Sequence, residues 1–306
     1  MPLCREIKVY RIGRTELDMQ QVDEWLRDLG VSDDFEIPPK VDPLSSLIGL
    51  AAKRCYMSFE VGLNQNVTKV RDDWGAYFDN ILHSRHGSVL EHATFNFALE
   101  GVSRVFTAEM NRHRAGVAIS EGSMRFIRFD EDIPYWLPTS IRGEPVLGCE
   151  EQYAIYDVVG DRPAFGDSRI ADVMDKVPND KKLDARKQLT RAIFNDVFRY
   201  VEGRYAQLLA IWDMDAGDKD FAYKKKVTSC LRRIVPLGVS TGGVWSLNVR
   251  ALRHVLAMRC APEAEEEIQL VFSMIAAKLS EEYPLLFGDF VKDESTGCWK
   301  PKYWKV

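Results

Sequence analysis

Hydrophobic and polar residues change period several times along the chain, and each change predicts an element. Glu6-Ile7-Lys8-Val9-Tyr10 alternates as an opening strand does, and residues 36–42, with Pro38 and Pro39, read as a linker. Asp42-Pro43 supplies a helix start, with Leu44, Leu47, Ile48, Ala51 and Ala52 at helical spacing behind it, so residues 11–43 are expected to be peripheral. A second amphipathic pattern runs through Val67, Val70, Trp74, Tyr77, Phe78 and Ile81. The period then falls to two over 94–100, where Phe95, Phe97 and Leu99 alternate with Asn96 and Ala98, as in a strand with one buried face that ends at Gly101. Ser103 caps a predicted helix through Val105, Phe106 and Met110, which breaks into a Gly- and Ser-containing stretch at 115–123.

Residues 133–178 have weak periodicity and many glycines and prolines, and predict irregular surface structure with one short helix around Tyr153. A long helix is predicted over 184–212, because Leu189, Ile193, Val197, Tyr200, Val201, Tyr205, Leu208 and Trp212 keep one apolar face. Residues 221–235 read as helix stopping at Pro236, and Gly238, Gly242 and Gly243 as the turn into a helix over 245–258. Pro262 permits a fresh start, and the last long helix, over 263–282, is acidic in its first turn as the helix dipole favours. The sum is a helix-rich α+β chain with one modest sheet. Its expected organisation is an N-terminal strand and peripheral extension over 1–43, then one domain over 44–306 with an irregular insertion near 131–183.

Composition narrows the class. With 46% hydrophobic and 28% charged residues the chain is globular, which excludes disorder, collagen and coiled coil. A net charge of -5 leaves no general positive field for nucleic acid or an anionic membrane, so any phosphate must be met locally. No apolar run approaches the ~18–20 residues of a spanning helix and the start lacks a secretory pattern, so a cytoplasmic protein is expected. The six cysteines form no CxxC pair and are read as reduced thiols.

Candidate chemistry gathers in two places. Four of the five histidines, His83, His86, His92 and His113, lie close together, but no HExxH or CxxC spacing accompanies them, and no metal is expected. Arg112-His113-Arg114, followed by Ser120-Glu121-Gly122-Ser123-Met124-Arg125, offers fixed cations, hydroxyls and free N–H groups suited to a phosphate. A solvated basic helix end paired to Glu109 and Glu121 fits the same residues. The second cluster is Asn248, Arg250, His254 and Arg259, with Arg250 and His254 on one helical face. An arginine in an apolar helix needs a partner, either an anionic ligand or a carboxylate such as Glu263, Glu265 or Glu267.

Taken together these segments resemble the flavin-dependent thymidylate synthases, the ThyX family. His86-Gly-Ser88-Val-Leu-Glu91-His92-Ala-Thr-Phe95-Asn-Phe97-Ala-Leu-Glu100-Gly-Val-Ser103-Arg104 is similar to the family's H-x-[ST]-x-x-E-H-x-x-F-x-F-x-x-x-G-x-S-R stretch, and Arg112-His113-Arg114 to its RHR. Residues 120–125 resemble the following N-E-x-S-x-R, with Ser120 in place of asparagine. Eight residues rather than seven separate Arg114 from Ser123. Arg233-Ile-Val-Pro236 and Asn248-Val-Arg250-Ala-Leu-Arg-His254-Val-Leu-Ala-Met-Arg259 are similar to the later motifs.

The resemblance implies a ThyX-like fold, with a central, mainly antiparallel sheet flanked by long helices. It further implies a homotetramer that binds FAD, with NADPH as reductant and 5,10-methylenetetrahydrofolate as donor of the carbon placed on uracil C5, converting dUMP to dTMP. By motif, His86, Ser88, Glu91, Arg112, His113, Arg114, Ser120, Glu121, Asn248, Arg250 and His254 would meet the flavin. Glu109, Arg112, Glu121, Gly122, Ser123, Met124, Arg125, Arg233 and Arg259 would hold the nucleotide. Arg259 polarises the uracil in this scheme, and His86 is its catalytic companion. Glu109 replaces the usual glutamine, and Glu263 and Glu265 stand where histidine and glutamine are common. These departures leave UMP as an alternative substrate, and a non-catalytic flavin or nucleotide sensor as an alternative function.

Overall fold

Asp42 does what its sequence position predicts: its carboxylate accepts the backbone N–H of Ser45 at 3.0 Å and opens a helix at Pro43. The computed structural model describes residues 3–141 and 168–306, so the predicted helix around Tyr153 lies outside the described residues. The strands are β1 Leu3–Cys4, β2 Lys8–Arg14, β3 Thr94–Ser103, β4 Val117–Glu121, β5 Pro134–Tyr135, β6 Ser240–Asn248, β7 Phe290–Lys292 and β8 Trp299–Pro301. The helices are α1 Met19–Asp28, α2 Pro43–Tyr56, α3 Trp74–His83, α4 Arg104–Met110, α5 Ser168–Lys176, α6 Lys182–Ile211, α7 Phe221–Leu231, α8 Val249–Arg259, α9 Glu266–Glu282 and α10 Pro284–Phe287. Among the described residues the chain divides into two units, one from 1–6, 101–107 and 122–242, the other from 7–100, 108–121 and 243–306.

Four strands form one sheet in the order β2-β3-β6-β4. β2 runs antiparallel to β3 and β4 antiparallel to β6. Phe95, Phe97 and Leu99 are buried as their alternation requires, and the ring of Phe95 meets Tyr283 edge-on at 4.9 Å. Residues 11–14 lengthen β2 at the edge of the sheet, and residues 19–28 form α1, which has no fully buried residue and whose Val22, Trp25 and Leu26 pack around Val31, Leu50 and Phe59. Two expectations need correction here. Residues 117–121 and 240–248, read as a Gly/Ser stretch and a glycine turn, are β4 and β6. The glycine serves the strand: a Cβ on Gly243 would lie 2.4 Å from the Ser120 carbonyl oxygen, so only glycine lets the two backbones approach. α8 accordingly begins at Val249, not at Trp245, capped by Asn248, whose side chain accepts from Ala251 N at 2.8 Å.

In the first unit α6 runs Lys182–Ile211, close to the predicted 184–212, and of its predicted apolar face Leu189, Val201 and Tyr205 are buried. Phe198, Val201, Tyr205 and Leu209 enter a core with Phe129, Ile133, Tyr135, Leu137, Val227, Leu231 and Val239. Ile193, Val197 and Tyr200 are 37%, 42% and 61% exposed. The helix is apolar on more than one side, so period alone could not choose. Residues 133–137, expected at the surface, are buried apart from Pro134, because the Tyr135 ring stacks on Phe198 at 4.6 Å. α7, capped by Asp220, passes into the turn Arg232–Ile234 before Pro236.

Candidate functional site

In the second unit the turn Gly87–His92 precedes β3 and presents Glu91 at the surface. Glu91 Oε1 accepts from Arg250 Nη1 at 2.6 Å across 159 positions of sequence, joining the first motif to α8. Positions 250, 251, 254, 257 and 258 form one face of α8 by the helical period. That face lines a cavity of about 480 Å³ together with Glu91, Ala115, Gly116, Asn248 and residues 303–306. Of the eleven sequence-predicted flavin residues, Glu91, Asn248, Arg250 and His254 therefore share one cavity, while His86, Ser88, Arg112, His113, Arg114, Ser120 and Glu121 do not line it. His86 stacks beside Tyr56, with ring centroids 5.7 Å apart. Arg112 and Arg114 are exposed and form no ion pair among the described residues, so pairing with Glu109 and Glu121 does not account for them.

The half-buried counterpart of this cluster is a triad. Arg259 Nη1 donates to Glu109 Oε2 at 2.7 Å and Arg259 Nε donates to His113 Nε2 at 2.9 Å. The arginine is always protonated, so His113 Nε2 must be the unprotonated ring nitrogen. Burial first, then the neighbouring Arg259, His254 and Arg112, hold the His113 pKa down from 6.5 to about 4. Glu109, placed by resemblance against the nucleotide, is thus the counter-ion of Arg259, and its charge is compensated rather than repulsive. None of the three α8 arginines, Arg250, Arg253 and Arg259, pairs with Glu263, Glu265 or Glu267 among the described residues. Glu265 instead caps α9, accepting from Glu267 N at 2.8 Å and Ile268 N at 3.3 Å.

The first unit carries the other set. Arg104 Nη2 donates to the carbonyl of Gly122, whose N–H donates to the Gly242 carbonyl at 2.9 Å, fixing the start of the Ser123 loop. Ser123 Oγ accepts from Arg125 N at 3.3 Å, Arg125 Nε donates to Ser229 Oγ at 2.9 Å, and Arg233 Nη1 donates to the Ser229 carbonyl at 2.9 Å. Arg125 and Arg233 thereby converge on one concavity of about 520 Å³, joined by Lys225, Lys226 and Arg232 and with no carboxylate among its lining residues. Met124 packs against the hydrophobic core.

Sequence reasoning passed over several of these residues. Lys225 and Lys226 belong to the Lys224-Lys225-Lys226 run, a visible charge signal on α7. The buried arginine of α8 is Arg253, 4% exposed and clamped to Asp289 by bonds of 2.6 and 2.8 Å, a partner 36 residues away that spacing could not reveal. Among the described residues no three His, Cys, Asp or Glu side chains gather as a metal site requires, and no helix is long and apolar enough to cross a membrane.

A sequence model of the family described as Thymidylate synthase complementing protein matches residues 42–285. The chain belongs to this family. A flavin-dependent thymidylate synthase of Mycobacteroides abscessus is 27% identical over 263 residues, covering 84% of this chain and 86% of that protein. Another, of Corynebacterium efficiens, is 25% identical over 245 residues, covering 80% and 79%. In fold, the chain is similar to the UMP/dUMP methylase PolB of Streptomyces cacaoi bound with 5-Br UMP, with a TM-score of 0.54 at 16% identity, covering 94% of this chain and 95% of that one. The α+β architecture with its antiparallel sheet is shared.

Proposed function

We propose that this protein is a flavin-dependent C5-methylase of a uridine monophosphate, converting dUMP to dTMP. The observation that carries the reading is the single cavity shared by Glu91, Asn248, Arg250 and His254, residues from two distant motifs. Its size falls in the range of about 300–1,000 Å³ usual for small-molecule sites. Its lining suits part of a flavin dinucleotide: Asn248, His254 and Arg250 present donors for ring and phosphate oxygens, and Ala115, Ala251 and Met258 present apolar surface. When bound, FAD supplies the reducing equivalents that turn a transferred one-carbon unit into a methyl group. NADPH and 5,10-methylenetetrahydrofolate are the co-substrates in this reading, and the chain works as a homotetramer.

The protein's own contribution is placement and electrostatics. Arg259 has its charge balanced by Glu109 and its orientation fixed by His113, and the remaining N–H groups of its planar fork can donate to a uracil carbonyl. Polarising that carbonyl spreads charge from the ring and favours reaction at C5. Arg125 and Arg233, with Ser123 Oγ beside Arg125, suit a phosphate. UMP is a second reading, favoured by the fold shared with a protein described as a UMP/dUMP methylase. Side-by-side kinetics on dUMP and UMP with FAD, NADPH and methylenetetrahydrofolate test both. Methylation of dUMP is expected, and methylation of neither nucleotide overturns the proposal.

A further inference from the structure

The flavin cavity has a wall that none of the family motifs supplies. After β8 the chain is anchored at Tyr303. Asp289, already clamped to Arg253, accepts from Tyr303 N at 3.2 Å, and Asp79 accepts from Tyr303 Oη at 2.5 Å and from Lys302 Nζ at 3.2 Å. Three residues later the chain is held again, since Val306 O accepts from Arg250 Nε at 3.3 Å. Gly87 provides the seat for that second anchor. A Cβ there would lie 2.6 Å from the Val306 carbonyl carbon and 2.7 Å from Arg250 Nε, so a side chain at position 87 would displace both.

Between the two anchors stand Trp304 and Lys305, both lining the cavity that Glu91, Arg250 and His254 also line. Among the described residues neither side chain makes a hydrogen bond or an ion pair. Trp304 is 54% exposed although the strap is tied at Tyr303 before it and at Val306 two residues after it, an unusual position for an indole. An indole face and an ammonium group, set on an anchored strap in one cavity with an arginine and a histidine, are complementary to a planar heteroaromatic ring carrying a phosphate.

We propose that Trp304 and Lys305 are cofactor-binding residues: the indole stacks on a ring of the dinucleotide and the ammonium meets its phosphates. This rests on the reading of the cavity as the flavin site, and the experiment separates the two. Apo-protein is titrated with FAD, FMN and ADP, binding being followed by flavin fluorescence or equilibrium dialysis. Loss of the stacked ring in Trp304→Ala is expected to weaken FAD about tenfold, and Trp304→Phe to recover most of the loss. Lys305→Ala is expected to weaken FAD and to flatten the dependence of its affinity on salt. FMN weakened in parallel identifies the isoalloxazine as the stacked ring, and ADP weakened in parallel identifies the adenine. Either result supports the proposal. Wild-type FAD affinity within twofold in Trp304→Ala and in a variant lacking residues 304–306, with unchanged thermal midpoints, overturns it. A wild-type protein that takes up no flavin overturns it together with the functional reading, whereas one that binds FAD through Trp304 yet methylates nothing leaves it standing and removes the methylase alone.

Discussion

At the scale of single residues, the ion pair between Arg259 and Glu109 decides how a carboxylate comes to stand where the family has a neutral amide. Removing the guanidinium in Arg259→Ala is expected to abolish methylation and leave FAD binding nearly unchanged; near-wild-type turnover would take Arg259 out of the site. His113 carries a pH dependence with a definite sign. Its folded pKa, about 4, lies below its unfolded value near 6.5, so between those values the unfolded chain binds more protons. The contribution of neutral His113 to stability is complete above about pH 6.5 and is lost as the pH falls towards 4. Thermal melts across that window should show a steeper acid decline for the wild type than for His113→Gln. The motifs at 86–92 and 248–259 hold Glu91, Asn248, Arg250 and His254, which share one cavity, whereas none of the flavin residues expected in 112–125 lines it. The partners Asp289 for Arg253 and Glu109 for Arg259 were not legible, because tertiary folding rather than spacing brings them together.

At the scale of elements, capping and alternation were the readable signals. Asp42 for α2, Ser103 for α4 and the period-two run of β3 all act locally, so the sequence alone is sufficient to place them. Phe95 is fully buried in β3, and Phe95→Ala is expected to cost about 3–5 kcal/mol in chemical denaturation, with no selective change in KM. Asn248→Ala removes the cap of α8 and is expected to cost about 0.5–2 kcal/mol and also to weaken flavin retention, since the same side chain lines the cavity. What was not legible is equally physical. Glycine in β6 looks like a turn until the backbone of β4 is placed against it, and the apolar surface on several sides of α6 conceals which face is buried. α1 was marked by Val22, Trp25, Leu26 and Leu29 at helical spacing, a signal diluted by the charged residues between them.

At the scale of the whole molecule, the overall negative charge coexists with a concavity of about 520 Å³ lined by Arg125, Lys225, Lys226, Arg232 and Arg233. Local convergence of cations, not net charge, sets what the protein attracts. Substituting Lys225 and Lys226 together by glutamate should raise the KM for the nucleotide and reduce its salt dependence, while the absorbance of bound flavin is retained. The central claim, that a flavin works in the cavity of Glu91, Asn248, Arg250 and His254, is tested most directly by the absorbance spectrum of the purified protein from the near-ultraviolet to the blue. The account predicts a flavin band, present on purification or acquired on adding FAD, that bleaches with NADPH. A colourless protein that remains so in excess FAD would contradict it.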